Sequence, residues 1–171
     1  LAFESAEPDI MQRRPRAADA RLLSGFLLWR IFFVSVLFAI GAFGMFAWAE
    51  TQGASHEQAR TIVVNAIVVM EIFYLFSVRY LRMTSLTWAG VLGTPAILIG
   101  VGSVTALQLG FTYLPFMQLI FQTRPVALVD GLVIIGAGMA LFVILEIEKR
   151  VRRDLFARNW LGRSLPTNAR S

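Results

Sequence analysis

A single carboxylate, Glu71, lies inside the apolar run "VVMEIFYLF". It is the eleventh residue of the 18-residue run 61–78, in which no other residue is charged. A charged side chain at the centre of a membrane-spanning helix costs roughly 2.5–3.5 kcal/mol on insertion scales. Three partners can offset that cost: a bound cation, a basic side chain on another helix, or a proton.

The choice among these partners depends on which basic residues can reach Glu71. The two nearest candidates, Arg30 and Arg79, are expected close to the cytoplasmic interface, so a cation or a proton is favoured and transport is the indicated function. A protonated Glu71 hydrogen-bonded to a neighbouring helix is the structural alternative. Asn65 lies about 240° around the helix and does not share the face of Glu71, whereas Tyr74 at i+3 does.

The remaining reactive side chains form no further site in the sequence. Asp130 and Glu146 are interpreted as solvated or capping charges near opposite ends of the last span, and His56-Glu57 does not continue into a zinc motif. The chain has no cysteine, no Gly-rich phosphate loop and no nucleophile elbow, so no catalytic residue is predicted. One carboxylate cannot complete a calcium site, because Ca²⁺ takes six to eight oxygens. Other helices would have to supply the rest.

The composition indicates the element that carries Glu71. The chain is 57% hydrophobic and 16% charged, whereas soluble domains are about a quarter charged. Uncharged or nearly uncharged runs long enough to cross a bilayer recur four times. No period-2 alternation indicates a barrel. The predicted fold is an all-α integral membrane protein, a four-helix transmembrane bundle with short loops.

The spans and the loop charges predict the topology. We place a cytoplasmic loop segment at 1–21, a transmembrane module at 22–148 and a basic cytoplasmic tail at 149–171, with spans at about 22–49, 61–80, 86–110 and 125–147. Arginines and Lys149 concentrate in the first segment, the turn after the second span and the tail, so both termini are predicted to be cytoplasmic. The net charge of +5 is then explained by topology and lipid headgroups, and no nucleic-acid partner is expected.

Small residues and one proline add detail to the last two spans. Gly102, Ala106 and Gly110 share one helix face by their spacing of four, and Gly136 and Ala140 repeat the pattern; a neighbouring helix can approach closely there. The apolar stretch "FTYLPFMQLIFQT" is interrupted by Pro115 and is too short to span. We predict an external, interfacial or partly re-entrant loop.

Several stretches together carry a family resemblance. "LAFESAEPDIMQRRPR" resembles the segment after the sixth transmembrane helix of P-type cation-transporting ATPases, and "LLSGFLLWR" resembles the entry to their seventh helix. "TIVVNAIVVMEIFYLFSVR" is similar to their eighth helix, "LQLGFTYLPFMQLIFQTRPVALVDGLVIIG" to the ninth helix, outer loop and tenth, and "LEIEKRVRR" to the exit into the cytosol. The resemblance covers about residues 1–158 and is greatest to the calcium-type branch.

The resemblance implies a C-terminal membrane module, helices seven to ten, that anchors the transport helices. Glu71 matches a cation ligand on the eighth helix of calcium pumps, so the transported cation is expected to be Ca²⁺. ATP and Mg²⁺ would act only through domains that this chain lacks, and its partners would be those domains, the remaining helices and the bilayer. Arg13, Arg14 and Arg16 are candidates for coupling to cytoplasmic domains, although the family usually has Pro where Arg14 stands.

Two hypotheses about the whole protein stay open at this point. The chain starts without Met, and its first residues read as the interior of a longer protein, so a fragment of a bacterial plasma-membrane pump is expected. The alternative is a stand-alone four-helix membrane protein without ATPase activity, either a channel-like oligomer that repeats Glu71 around a pore or an assembly factor.

Overall fold

The computed structural model describes residues 25–79 and 95–163, and its regular elements there are all helices. They are α1 (Gly25–Thr51), α2 (His56–Arg79), α3 (Pro95–Tyr113), α4 (Pro115–Phe121) and α5 (Leu128–Arg163). No strand occurs in these two ranges. The predicted all-α class is confirmed.

Three of the helices are long and apolar enough to cross a membrane. They are Leu27–Thr51, His56–Val78 and Leu128–Arg152, and α3 with α4 forms a pair bent by 75° that adds a fourth span if it is counted as one. The chain is therefore a multi-pass helical membrane protein, as predicted. The first part of the predicted third span, 86–94, lies outside the described residues, and the orientation of the termini stays a prediction.

The turn between α1 and α2 follows from local sequence chemistry. Gly53 has φ 76°, and the amide of Ala54 donates to the carbonyl of Ala49 at 3.1 Å, as in a Schellman motif. Two residues later the Ser55 hydroxyl accepts the amide of Gln58 at 3.3 Å, which caps the start of α2. The two helices are thereby joined by a short antiparallel connection.

The break between α3 and α4 falls at Pro115, as the sequence indicates. Leu114 is extended, with φ −73° and ψ 126°, and Pro115 occupies the first turn of α4. A proline inside a helix removes a backbone donor and disfavours helical geometry in the residue before it. The short helix ends at Gln122, which has φ 52°. The chain then runs without regular structure into α5.

Helix α2 is the centre of the packed part of the molecule. It contacts both α1 and α5 extensively, whereas α1 and α5 touch each other less. One core cluster joins all three helices near the α1–α2 turn, and a second lies further along α2; the buried members are Met45, Ala49, Ala59, Ile62, Ala66, Val126 and Ile134, then Met70, Leu141 and Leu145. The core therefore fixes α2 between two neighbours.

Two glycines let α2 approach these neighbours closely. A Cβ at Gly138 of α5 would lie 2.5 Å from the Phe73 ring and 2.9 Å from Val69. A Cβ at Gly41 of α1 would lie 2.6 Å from the sulfur of Met70. Close backbone approach at small residues is a main source of helix association in membranes. Sequence reasoning singled out neither glycine.

The small-residue faces predicted from spacing are open within this chain. A Cβ at Gly102 or Gly136 would meet nothing within 4 Å, and Gly110 would meet only Leu114. Ala106 and Ala140 are exposed. No described helix covers these faces, so any close helix neighbour there must come from outside the described residues.

Helix α5 continues well past its membrane-spanning part. Its apolar portion ends near Arg152, but the helix reaches Arg163. The predicted boundary between transmembrane module and tail, at 148/149, therefore falls inside a continuous helix. Lys149, counted in the sequence as a tail charge, is 4% exposed.

Candidate cation-binding site

Glu71 lies on a side of α2 that the described residues leave exposed. Ala66, on the packed side, is fully buried and lies about 140° around the helix from Glu71 at 3.6 residues per turn. Glu71 and Leu75 are exposed. Within the part of the chain that the structure describes, Glu71 has no hydrogen bond or ion pair. Its carboxylate is thus free to bind a group that these residues do not supply.

Asn65 is engaged elsewhere. Its Nδ2 donates to the carbonyl of Thr61 at 2.9 Å and to the hydroxyl of Thr112 on α3 at 3.0 Å. The Thr112 hydroxyl lies 2.9 Å from the carbonyl of Gln108, to which it can donate. These bonds turn Asn65 towards α3, which agrees with the prediction that it does not share the face of Glu71.

The other side chains discussed with Glu71 point into the bundle. The Tyr74 ring packs edge-on against Phe38 of α1, with centroids 6.0 Å apart. Arg30 is 7% exposed, and its two terminal nitrogens are buried without a hydrogen-bond partner among the described residues. Within those residues Arg30 forms no ion pair with Glu71.

The described residues hold no group of three or more His, Asp, Glu or Cys side chains that could bind a metal ion. Glu71 therefore supplies one or two oxygens, far short of the six to eight that Ca²⁺ takes. A cation bound at Glu71 would need ligands from other helices.

A polar cluster that the sequence did not predict joins α2 and α5 near the last turn of α2. The Lys149 ammonium donates to the carbonyl of Ser77 at 2.5 Å and to Oε1 of Glu146 at 2.6 Å. The Ser77 hydroxyl lies 3.4 Å from the same Glu146 oxygen. Glu146 is thus an ion-pair partner of a buried lysine, and the interpretation as a solvated or capping charge is wrong. The i, i+3 spacing of Glu146 and Lys149 was the available signal.

The opposite end of α2 is held by a second polar cluster. Arg124 pairs with Glu57 at 2.8 Å, and its backbone amide donates to the Thr61 hydroxyl at 3.1 Å. Arg60 donates to the last carbonyls of α4, those of Phe121 and Gln122, at 3.1 and 3.2 Å. Arg60 and Arg124 therefore fix the segment after the proline break to α2.

The structure also shows the positions of Asp130 and His56, which the sequence analysis did not assign to a site. Asp130 lies in the first turn of α5, where a carboxylate interacts favourably with the positive end of the helix dipole. His56 packs edge-on against Phe46 at 5.5 Å. Arg13, Arg14 and Arg16 lie outside the described residues.

Comparison with known proteins identifies the family. The family described as "Cation transporting ATPase, C-terminus" matches residues 1–151. The chain belongs to this family. The predicted resemblance to P-type cation-transporting ATPases is thereby confirmed, and the chain is their C-terminal membrane domain.

Individual relatives agree with the family. Over 154 residues the chain is 37% identical to the "Probable cation-transporting ATPase F" of Mycobacterium tuberculosis, an alignment that covers 90% of this chain and 17% of the relative. It is 36% identical to the "Cation-transporting ATPase pma1" of Synechocystis over 73% of this chain and 14% of that protein. The mouse "Calcium-transporting ATPase type 2C member 2" is 25% identical over 98% of this chain and 17% of its own length. The chain thus spans about a sixth of the relatives that it matches.

Proposed function

We propose that this chain is the last membrane-spanning part of an ATP-driven cation pump, in which Glu71 is one ligand of the transported ion. The observation that carries the proposal is an exposed carboxylate without a partner among the described residues, within the membrane-spanning stretch His56–Val78. Left unpaired in hydrocarbon such a group is costly, so a visiting cation explains why it is tolerated. Helices outside this chain supply the other ligands.

Calcium is the proposed ion. Carboxylate oxygens suit a hard cation, and several relatives are named calcium-transporting ATPases, among them a mouse protein and one from Yarrowia lipolytica. The more similar mycobacterial and Synechocystis relatives are named only for cations. We also propose a bacterial plasma membrane and cytoplasmic termini, from the loop charges and the bacterial relatives. A stand-alone channel or assembly factor is disfavoured by the family match over residues 1–151.

The test is Glu71→Gln in the complete gene product that contains this chain. We expect half-saturating calcium for phosphoenzyme formation from ATP to rise about tenfold or more, since a direct ligand loses its charge. The matched control is Glu50→Gln, an exposed carboxylate in the last turns of α1, which should leave calcium dependence unchanged. Parental calcium dependence in Glu71→Gln at normal protein level would rule out the ligand role.

The N-terminal arginines are proposed to couple this domain to the cytoplasmic part of the pump. Arg13, Arg14 and Arg16 would pair with acidic groups there or with lipid headgroups. Reversing the charge of Arg14 and Arg16 together to Glu should lower ATPase turnover while the helices still insert. Normal insertion together with normal turnover would dismiss a role for both.

A further inference from the structure

The cluster of Lys149, Glu146 and Ser77 lies between α2 and α5, and Ser77 is about 120° around α2 from Glu71 at 3.6 residues per turn. Lys149 is 4% exposed and Ser77 is fully buried. The carbonyl of Ser77 lies close to Arg79, the last described residue of α2, and it accepts a hydrogen bond from the Lys149 ammonium of α5. Hydrogen bonds from a charged donor are roughly twice as strong as those between neutral groups, so the contact is strong for a single hydrogen bond.

This contact fixes the position of α2 along its own axis relative to α5. Lys149 belongs to α5, so its bond to Ser77 resists a shift of α2 along its own axis relative to α5. Glu71 is six residues before Ser77, about 9 Å along the helix at 1.5 Å per residue. Val69 and Phe73, which flank Glu71 in the sequence, pack closely against α5 at Gly138. Both contacts fix the position of Glu71 along the axis of α2 relative to α5.

The axial position of Glu71 matters because the distance between a ligand oxygen and its cation varies over only a narrow range. Ca²⁺–oxygen bonds lie at about 2.3–2.6 Å, so a displacement of an ångström removes a ligand from the shell. Building on the proposed function, we propose that Lys149 is a positioning residue, which sets the axial position of Glu71 through the Ser77 carbonyl and so sets cation affinity. Lys149 itself does not touch the ion.

The test measures calcium dependence of phosphoenzyme formation in the complete gene product. Lys149→Met keeps the apolar stem and removes the donor; we expect about tenfold higher half-saturating calcium and a maximal phosphoenzyme level within about twofold of parental. Lys149→Arg should restore most of the affinity. Arg150→Met, at an exposed neighbouring position, should change nothing. Unchanged half-saturating calcium in Lys149→Met would overturn the proposal.

A charge effect is separated from positioning by a double variant. Glu146→Gln with Lys149→Met leaves the net charge of the cluster unchanged but still lacks the bond to Ser77, so the tenfold loss should persist. Return to parental affinity would show that Lys149 acts through its charge, which contradicts positioning. If Lys149→Met accumulates poorly, Lys149→Gln decides: its shorter side chain cannot bridge Ser77 and Glu146 together, and unchanged affinity at normal level overturns the role.

A second readout examines the contact itself and keeps the two proposals apart. Amide hydrogen exchange in residues 74–79 should be faster in Lys149→Met and unchanged in Arg150→Met, because the last turn of α2 loses its attachment. Unaltered exchange would contradict the attachment. If Glu71→Gln shifts calcium dependence and Lys149→Met does not, only the positioning role fails; if Glu71→Gln has no effect, the ligand proposal fails whatever exchange shows.

Discussion

Helices α2 and α3 both contain long apolar stretches but have very different surroundings. Helix α2 is packed between α1 and α5 and is fixed by polar contacts near both ends. Helix α3 leaves most of its described side chains exposed, among them Leu107 at 74%. It is attached near its end through Thr112 and through the Tyr113 hydroxyl, which donates to the Val126 carbonyl at 2.9 Å. The length of an apolar stretch therefore does not indicate whether the helices that cover it belong to the same chain.

The difference has a physical cause. In lipid, apolar surface gives helices no strong reason to associate, so association depends on close packing and interhelical hydrogen bonds. Helix α2 has both, at Gly138 and at Lys149. Helix α3 has hydrogen bonds to its neighbours, but its small-residue face meets no described helix.

The largest expected effect comes from filling the space between α2 and α5. Gly138→Leu would drive a side chain into the Phe73 ring and Val69, whose atoms lie within 3 Å of the added Cβ. An aromatic ring packed among neighbours cannot move aside easily, so overpacking should cost about 3 kcal/mol. The thermal midpoint of the complete gene product in detergent should fall by several degrees.

Gly136→Leu is the matched control for that variant. It lies two residues away on the same helix, and a Cβ there meets nothing within 4 Å. In the complete gene product its midpoint should fall less than that of Gly138→Leu, because no described residue lies near the added side chain. Equal losses in the two variants would mean that the packing of α2 on α5 is not the tight contact described above.

Particular residues show which features of the structure could be predicted from the sequence and which could not. The helical class, the multi-pass arrangement and the break at Pro115 were predictable, because length, apolarity and a missing backbone donor act locally. The pairing of Lys149 with Ser77 joins residues 72 positions apart, and the contact of Gly138 with Phe73 requires knowing which faces of α2 and α5 meet. The exposure of Glu71 follows from the same choice of faces, which composition does not encode.

A smaller effect should follow from cutting the link between α2 and α3. Thr112→Val keeps the shape but removes the hydroxyl that accepts from Asn65 at 3.0 Å. Interhelical hydrogen bonds in membranes contribute about 0.6–1.7 kcal/mol, so a midpoint drop smaller than for Gly138→Leu is expected. Thr105→Val is the control on the same helix, since its hydroxyl donates only to its own helix at Val101. Indistinguishable midpoints would show that Thr112 does not attach α3.

The smallest effect is expected at the ion pair between Arg124 and Glu57. This pair is exposed, whereas Lys149 at the other end of α2 is buried. The Arg124 and Glu57 side chains are 61% and 40% exposed, so water and salt screen them. Arg124→Met should cost less than about 1 kcal/mol, and the backbone bond of Arg124 to Thr61 remains. A cycle with Glu57→Gln at low and high salt measures the pair directly, and its coupling should vanish in high salt. A coupling well above 1 kcal/mol that persists in high salt would mean that exposure does not weaken this ion pair.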